Sequence, residues 1–224
     1  MQGKIILIEG TDCSGKETQA NLLLEYLNNK GIKTIKVGFP NYNCPTGKIV
    51  GGPYLGKDYI CEGWFPESAT KVNPKVSALY YGADFLYNLP DMKKELDKGT
   101  FIILDRYFYS TFAHQGGKEK NKKKREEIYE WFSKLFLDLL ELPDPDIKLF
   151  LHMPFECGKI LRAQRAEKLD QNEQDDEHLK NAEKAYLEIA KLYNFNKIEC
   201  GNKNKIKNIE EIHNDLIKVI EDFL

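Results

Sequence analysis

Residues 5–19 constrain the fold most: the apolar run Ile5-Ile6-Leu7-Ile8 passes directly into Glu9-Gly10-Thr11-Asp12-Cys13-Ser14-Gly15-Lys16-Glu17-Thr18-Gln19. A buried strand that breaks at glycine and restarts as a helix leaves backbone N–H groups unpaired at the helix N-terminus, where anions bind. Gly10, Gly15 and Lys16 stand at the spacing of a phosphate-binding loop, in which loop amides and an ammonium converge on polyphosphate. Gly10, Thr11, Asp12, Cys13, Ser14, Gly15, Lys16, Glu17 and Thr18 are therefore the candidate nucleotide-binding residues. One letter departs from the pattern: Glu17 occupies the place of the usual Ser or Thr, whose hydroxyl ordinarily reaches Mg²⁺. Glu17 either contacts the metal, directly or through water, or turns outward and favours the first helical turn through the macrodipole.

The rest of the chain repeats the strand-then-helix theme. Apolar residues at 20, 23, 24 and 27 mark a helical face, and Gly31 suits its C-terminus. Further strands are expected at 33–39, 101–105 and 147–153. Asn73-Pro74 predicts a helix to about Leu89, with Pro90 ending or restarting it. Stripes at 128, 131, 132 and 135, at 182, 185, 186 and 189, and from Ile209 to Phe223 read as core-facing helices. This alternation predicts an α/β fold with a parallel sheet covered on both faces and ligands outside the carboxyl ends of its strands. Residues 41–72, rich in Gly, Pro and aromatics, read as packed irregular structure. One domain over 1–224 is the expectation, with the acidic stretch 167–178 either a lid or a solvated turn.

Composition narrows the partners. Net charge is −2 with 30% charged residues, which disfavours a dedicated nucleic-acid or membrane-surface binder and points to a small molecule. The basic run 118–125 is followed at once by Glu126 and Glu127 and reads as a solvated helix start. Five cysteines without a C-x-x-C pair fit reduced thiols, and the absence of a signal-peptide pattern or long apolar run leads to a cytoplasmic expectation. Asp105 ends an apolar strand, where a carboxylate needs a cation, a metal or hydrogen-bond donors; Arg106 is the adjacent donor.

Four segments together resemble the thymidylate kinase family over nearly the whole chain. They are Glu9 to Lys16 with Thr18-Gln19, Phe39-Pro40, Asp105-Arg106-Tyr107 continuing through Ser110-Thr111 to His114-Gln115-Gly116-Gly117, and Arg162 to Tyr186. The resemblance implies a P-loop NTPase fold with a five-stranded parallel sheet, and a homodimer built through helices. It also implies transfer of the γ-phosphoryl group of ATP to a nucleoside monophosphate, normally dTMP, with Mg²⁺. Lys16 would hold donor phosphates, Arg106 would grip the acceptor phosphate, and Asp12 and Asp105 match carboxylates near the acceptor sugar and the metal. The loop carries no arginine, so Arg162 and Arg165 are the candidates for a catalytic arginine in a lid at about 162–178, Arg165 slightly preferred. Either arginine alternatively pairs with Asp170 or Glu173 on an exposed helix.

On the acceptor side, Phe39 and Pro40 border the substrate and Tyr81 aligns with the aromatic that stacks on the base. Thr111 and Gln115 align with hydrogen-bonding positions, and Tyr186 belongs to the fourth segment. The family usually places an arginine four residues after the stacking aromatic, but this chain has Phe85. Tyr81 and Phe85 then form an aromatic wall that reads shape, or Phe85 is simply core. Tyr42 falls where another arginine is common, and His114 where tyrosine is common near the sugar. Two alternatives therefore stay open: a kinase for another pyrimidine nucleotide or nucleoside, and a nucleotide-binding protein that has lost catalysis.

Overall fold

The computed structural model describes residues 2–164, 169–202 and 205–224. Its strands are β1 (Ile5–Gly10), β2 (Thr34–Gly38), β3 (Phe101–Asp105), β4 (Ile147–His152) and β5 (Asn196–Glu199). They form one sheet in the order β2-β3-β1-β4-β5, and every neighbouring pair is parallel. Parallel neighbours need crossovers, which helices supply: α1 (Lys16–Asn29), α2 (Pro45–Ile49), α3 (Pro74–Asp97), α4 (Phe108–Gly116), α5 (Lys122–Ser133), α6 (Phe155–Ala163), α7 (Asp176–Leu192) and α8 (Ile209–Glu221).

The pleat of β1 explains why its sequence is apolar throughout. Ile5 and Leu7 join a core with Phe85, Phe108, Phe112, Phe132 and Phe136, whereas Ile6 and Ile8 join one with Leu23, Leu27, Leu216 and Ile220. With both faces covered, the register of β1 is fixed. Its last residue, Gly10, then starts the phosphate loop at the sheet's carboxyl edge.

Three segments differ from their expected form. Pro90 neither ends nor restarts its helix, because α3 continues to Asp97. The proline is exposed, while Leu89 and Met92 on either side are buried in the core, so packing outweighs the lost helical hydrogen bond. The 41–72 segment is packed as expected but less irregular: α2 runs into a π-helical turn, Val50–Tyr54, over a local cluster of Val50, Tyr54, Leu55, Ala69 and Val72. The acidic stretch contributes Asp175 as N-cap and Asp176 and Glu177 as the first turn of α7, where carboxylates favour the helix dipole.

Candidate active site

The donor side is built from one contiguous turn. A Cβ on Gly10 would lie 2.6 Å from both the Leu151 carbonyl and Ser14 Oγ, so only glycine fits there. Gly15 lies in the left-handed region at φ 78° and precedes α1 without a side-chain cap, which leaves the first-turn amides of α1 available to an anion. Lys16 Nζ donates to the Gly10 and Thr11 carbonyls at 2.9 Å each. Burial, then the charge of Arg106, push this ammonium down to about 8. Thr11 is engaged structurally: its hydroxyl donates to the Met153 carbonyl and accepts from the Met153 N–H, locking the loop to the residue that follows β4.

Asp12, Cys13, Gly15, Lys16, Glu17, Thr18, Asp105, Arg106 and Glu173 line one open cavity. Glu17 is exposed in the first turn of α1, so it faces this cavity from the helix N-terminus. Asp12, Glu17, Asp105 and Glu173 thus bring four carboxylates to one polar cleft, of which Asp12 is paired with Arg106 and Glu17 and Asp105 flank the loop. Among the described residues no three His, Cys, Asp or Glu side chains gather as a preformed metal cage. That donor set suits Mg²⁺, which draws most of its ligands from phosphate and water and one or two from carboxylates.

The acceptor side is assembled from widely separated parts of the chain, Asp12 of the loop and Arg106 after β3 among them. An open cavity is lined by Phe39, Pro40 and Tyr42 after β2, Tyr81 and Phe85 from α3, and Thr111, His114 and Gln115 from α4. Asp170, Asn172 and Glu173 close its remaining side. Tyr81 and Phe85 are stacked with ring centroids 6.4 Å apart and form the expected wall. Phe85 is at the same time core: it is 2% exposed and packs edge-on against Phe39 and Tyr107, each at 5.1 Å. Thr111 Oγ1 and Gln115 Oε1 are buried without a partner among the described residues, and such polar atoms in a cavity wall suit a ligand's polar edge.

Arg106 joins the two sides, since it borders both cavities. Its backbone sits at φ 67°, a conformation costly for a residue with a Cβ and concentrated at functional sites. The side chain turns not to the neighbouring Asp105 but to Asp12, with N–O 3.4 Å, and lies 3.5 Å from Tyr186 Oη. Burial disfavours its charge, yet Tyr186, Asp12, Glu9 and Asp105 raise its pKa. Asp12 is held below the usual carboxylate range because Arg106 and Lys16 outweigh its burial.

Glu9 is a functional candidate that motif reading passes over. Wholly buried at the end of β1, its carboxylate accepts from the Tyr107 and Ser110 N–H groups at 2.9 Å, from Ser110 Oγ at 2.6 Å and from Tyr186 Oη at 3.1 Å. It thereby fixes the start of α4 and the residues around Arg106. Burial raises its pKa, against the opposing pull of Ser110 and Arg106. The available signal is its place: a carboxylate ending an apolar strand must be satisfied internally.

Arg162 lies in the last turn of α6, is 7% exposed, and is paired with Asp176 Oδ1 at 2.5 Å rather than with Asp170 or Glu173. It lines a smaller cavity behind the loop with Thr11, Asp12 and His114. Arg165 lies outside the described residues. His114 Nδ1 is 3.2 Å from His178 Nε2, which links α4 to the start of α7.

A parallel sheet of this order, a phosphate loop after β1 and an arginine shared between two cavities define a P-loop phosphotransferase. The sequence model described as thymidylate kinase matches residues 8–215. A "probable thymidylate kinase" of Thermococcus kodakarensis is 30% identical over 98% of both chains, and the thymidylate kinase of Plasmodium falciparum is 27% identical over 98% of this chain and 90% of its own. The solved thymidylate kinase of Candida albicans superposes with a TM-score of 0.76 at 26% identity, covering 99% of this chain and 92% of that one. The chain belongs to the thymidylate kinase family.

Proposed function

We propose that this chain, acting as one kinase unit over 1–224 with a short lid, transfers the γ-phosphoryl group of ATP to dTMP. The observation that carries this reading is the position of Arg106, which borders the loop cavity and the aromatic cavity together. A monophosphate held there lies between the donor phosphates and the base wall. Lys16 and the loop amides bind the donor phosphates, and Arg106 orients the acceptor phosphate. Tyr81 and Phe85 flank the base, Thr111 and Gln115 meet its polar edge, Asp12 and His114 border the sugar, and Tyr186 backs Arg106 from behind the cavity. An acceptor phosphate oxygen bonds to the γ-phosphorus as the bond to the bridging oxygen breaks and ADP leaves. Such a transfer needs positioning and charge neutralisation above all, and Arg162 or Arg165 adds positive charge from the lid. Mg²⁺ supplies further charge neutralisation when bound, with Glu17 and Asp105 as its protein ligands, directly or through water.

The same reading includes a homodimer. Val76, Leu79, Leu86 and Tyr87 leave apolar surface exposed along α3, at 39%, 55%, 43% and 57%, which suits a second copy. It also places the enzyme in the cytoplasm with nucleotides rather than nucleic acid as partners; no helix among the described residues is long and apolar enough to cross a membrane.

A coupled assay of ADP release over a panel of mononucleotides and nucleosides, with ATP and Mg²⁺, tests the proposal. The expected result is release that depends on dTMP above all other acceptors. Preference for another pyrimidine would replace dTMP, in line with Phe85 standing where an arginine is usual, and no release with any acceptor would sink the kinase reading.

A further inference from the structure

Gln115 is connected beyond the cavity it lines. Its Nε2 donates to Tyr54 Oη at 3.3 Å, and Tyr54 Oη donates to the Ala69 carbonyl at 3.1 Å. The Ala69 N–H donates in turn to Gln171 Oε1 at 2.7 Å. Tyr54, Ala69 and Gln115 are all buried, so the links from Gln115 to Tyr54 and from Tyr54 to Ala69 are shielded from competing water, and the Ala69–Gln171 link is half-buried. Lys118 Nζ fixes the same strip of chain, donating to the Ala69 and Val72 carbonyls at 2.7 and 2.8 Å.

Gln171 sits in a slot shaped for it. A Cβ on Gly56 would approach Gln171 Nε2 to 2.9 Å and one on Gly63 to 3.4 Å, and Gly56 has φ 65°. Lys57 and Asp170 form an ion pair at 3.2 Å beside the slot, with only 20% and 15% of their side chains exposed. The following turn is internally braced. Asp170 Oδ1 accepts from the Asn172 and Glu173 N–H groups, and the Asp170 N–H donates to Glu173 Oε2, each at 3.0 Å. A contact at Gln171 therefore places the whole turn, and that turn carries Asp170 on the acceptor cavity and Glu173 on both cavities.

We infer that Gln171 is a positioning residue which, through Ala69 and Tyr54, ties occupancy of the acceptor cavity by a nucleoside monophosphate to placement of the turn bordering the donor loop. This rests on the reading of the two cavities as acceptor and donor sites. Gln115 Oε1, unpartnered among the described residues, is where the ligand enters the chain of contacts. Its opposite end is Gln171, on the segment that must stand beside the phosphates. Recognition of the base is thereby linked to assembly of the transfer site, so that a poorly fitting acceptor leaves the turn less firmly held.

The test compares the wild-type enzyme with Gln171→Ala, Gln171→Glu, Tyr54→Phe and the Tyr54→Phe/Gln171→Ala pair. Steady-state kinetics are joined to amide hydrogen exchange around Ala69, with and without the acceptor preferred in the panel assay. Gln171→Ala is expected to lower kcat about tenfold with acceptor KM changed less than about threefold. It should also abolish the acceptor-induced slowing of exchange at Ala69, while Tm moves by no more than about 2 °C. Gln171→Glu keeps an oxygen for the Ala69 N–H and restores most of kcat, and the double variant is no slower than the slower single one. Unchanged kcat in Gln171→Ala, strict additivity of the pair, or acceptor-independent exchange at Ala69 each overturns the inference. A wild-type enzyme that releases no ADP with any acceptor instead overturns the kinase reading, and nucleotide-dependent exchange at Ala69 then judges the Gln171 contact alone.

Discussion

The donor loop and the acceptor cavity are built in opposite ways. The loop is nine consecutive residues, Gly10 to Thr18, whose chemistry resides in backbone geometry: one glycine with no room for a Cβ, one in the left-handed region, and an uncapped helix. The cavity is made of side chains from the chain after β2, α3, α4 and the turn at 170–173, joined by Leu55, Arg106 and the loop's Asp12. Its aromatic wall doubles as hydrophobic core, so Phe85 serves stability and shape together. Damage to the loop should thus abolish chemistry and spare the fold, whereas damage to the wall should weaken the fold and only modestly slow the chemistry.

The sharpest attempt to break this contrast is Lys16→Met. Loss of a preorganised charge at the transferring phosphoryl group is expected to lower kcat/KM by roughly 10³-fold, with thermal melting nearly unchanged. A melt that collapses along with activity would mean that the loop is as structural as the wall. Arg106→Lys comes next, because it keeps the charge but loses the planar, forked donor that borders both cavities. Kinetics should show a loss of about 10²-fold, appearing in both kcat and acceptor KM. If only KM rises, Arg106 binds the acceptor without assisting transfer.

Two tenfold effects lie on opposite sides of the comparison. With Lys16 pushed down to about 8 by burial and Arg106, the free enzyme carries the ammonium below that pH and loses it above. The kcat/KM for ATP should therefore fall about tenfold per unit above pH 8, and a flat profile would remove Lys16's charge from donor binding. Phe85→Leu, on the wall, should cost about 1–2 kcal/mol in urea unfolding while kcat/KM changes by less than about tenfold. Equal losses of activity in Phe85→Leu and Arg106→Lys, with no loss of stability, would show Phe85 to be a reader rather than core.

The same contrast explains what is legible in the sequence. Contiguity makes the loop readable, since Gly10, Gly15 and Lys16 announce their geometry by spacing. The i, i+4 relation likewise puts Tyr81 and Phe85 on one helix face, and their rings do stack. Sequence adjacency misleads at Asp105-Arg106, where the positive φ of Arg106 turns its guanidinium to Asp12, 94 residues away. Glu9 is hidden within a motif because its donors, Tyr107, Ser110 and Tyr186, arrive from other elements. The pairing of Ala69 with Gln171 spans 102 residues, and no spacing rule encodes it. Pro90 shows the remaining failure: a local breaker is overridden where its neighbours are well buried.

The smallest expected effect is the most informative about the loop itself. Glu17 is exposed in the first turn of α1 and shares its cavity with Asp105, so a cation between them and the donor phosphates would relieve the repulsion that a bare carboxylate brings. Glu17→Ser restores the usual hydroxyl at this position. If Glu17 helps hold the metal, the Mg²⁺ concentration for half-maximal rate should shift by about two- to fivefold, with saturated kcat and Tm nearly constant. If Glu17 acts only on the helix dipole, the Mg²⁺ titration is unchanged and stability falls by about 0.3–1 kcal/mol. Because the two outcomes appear in different measurements, this one substitution decides whether the unusual letter in the loop belongs to its chemistry or to its helix.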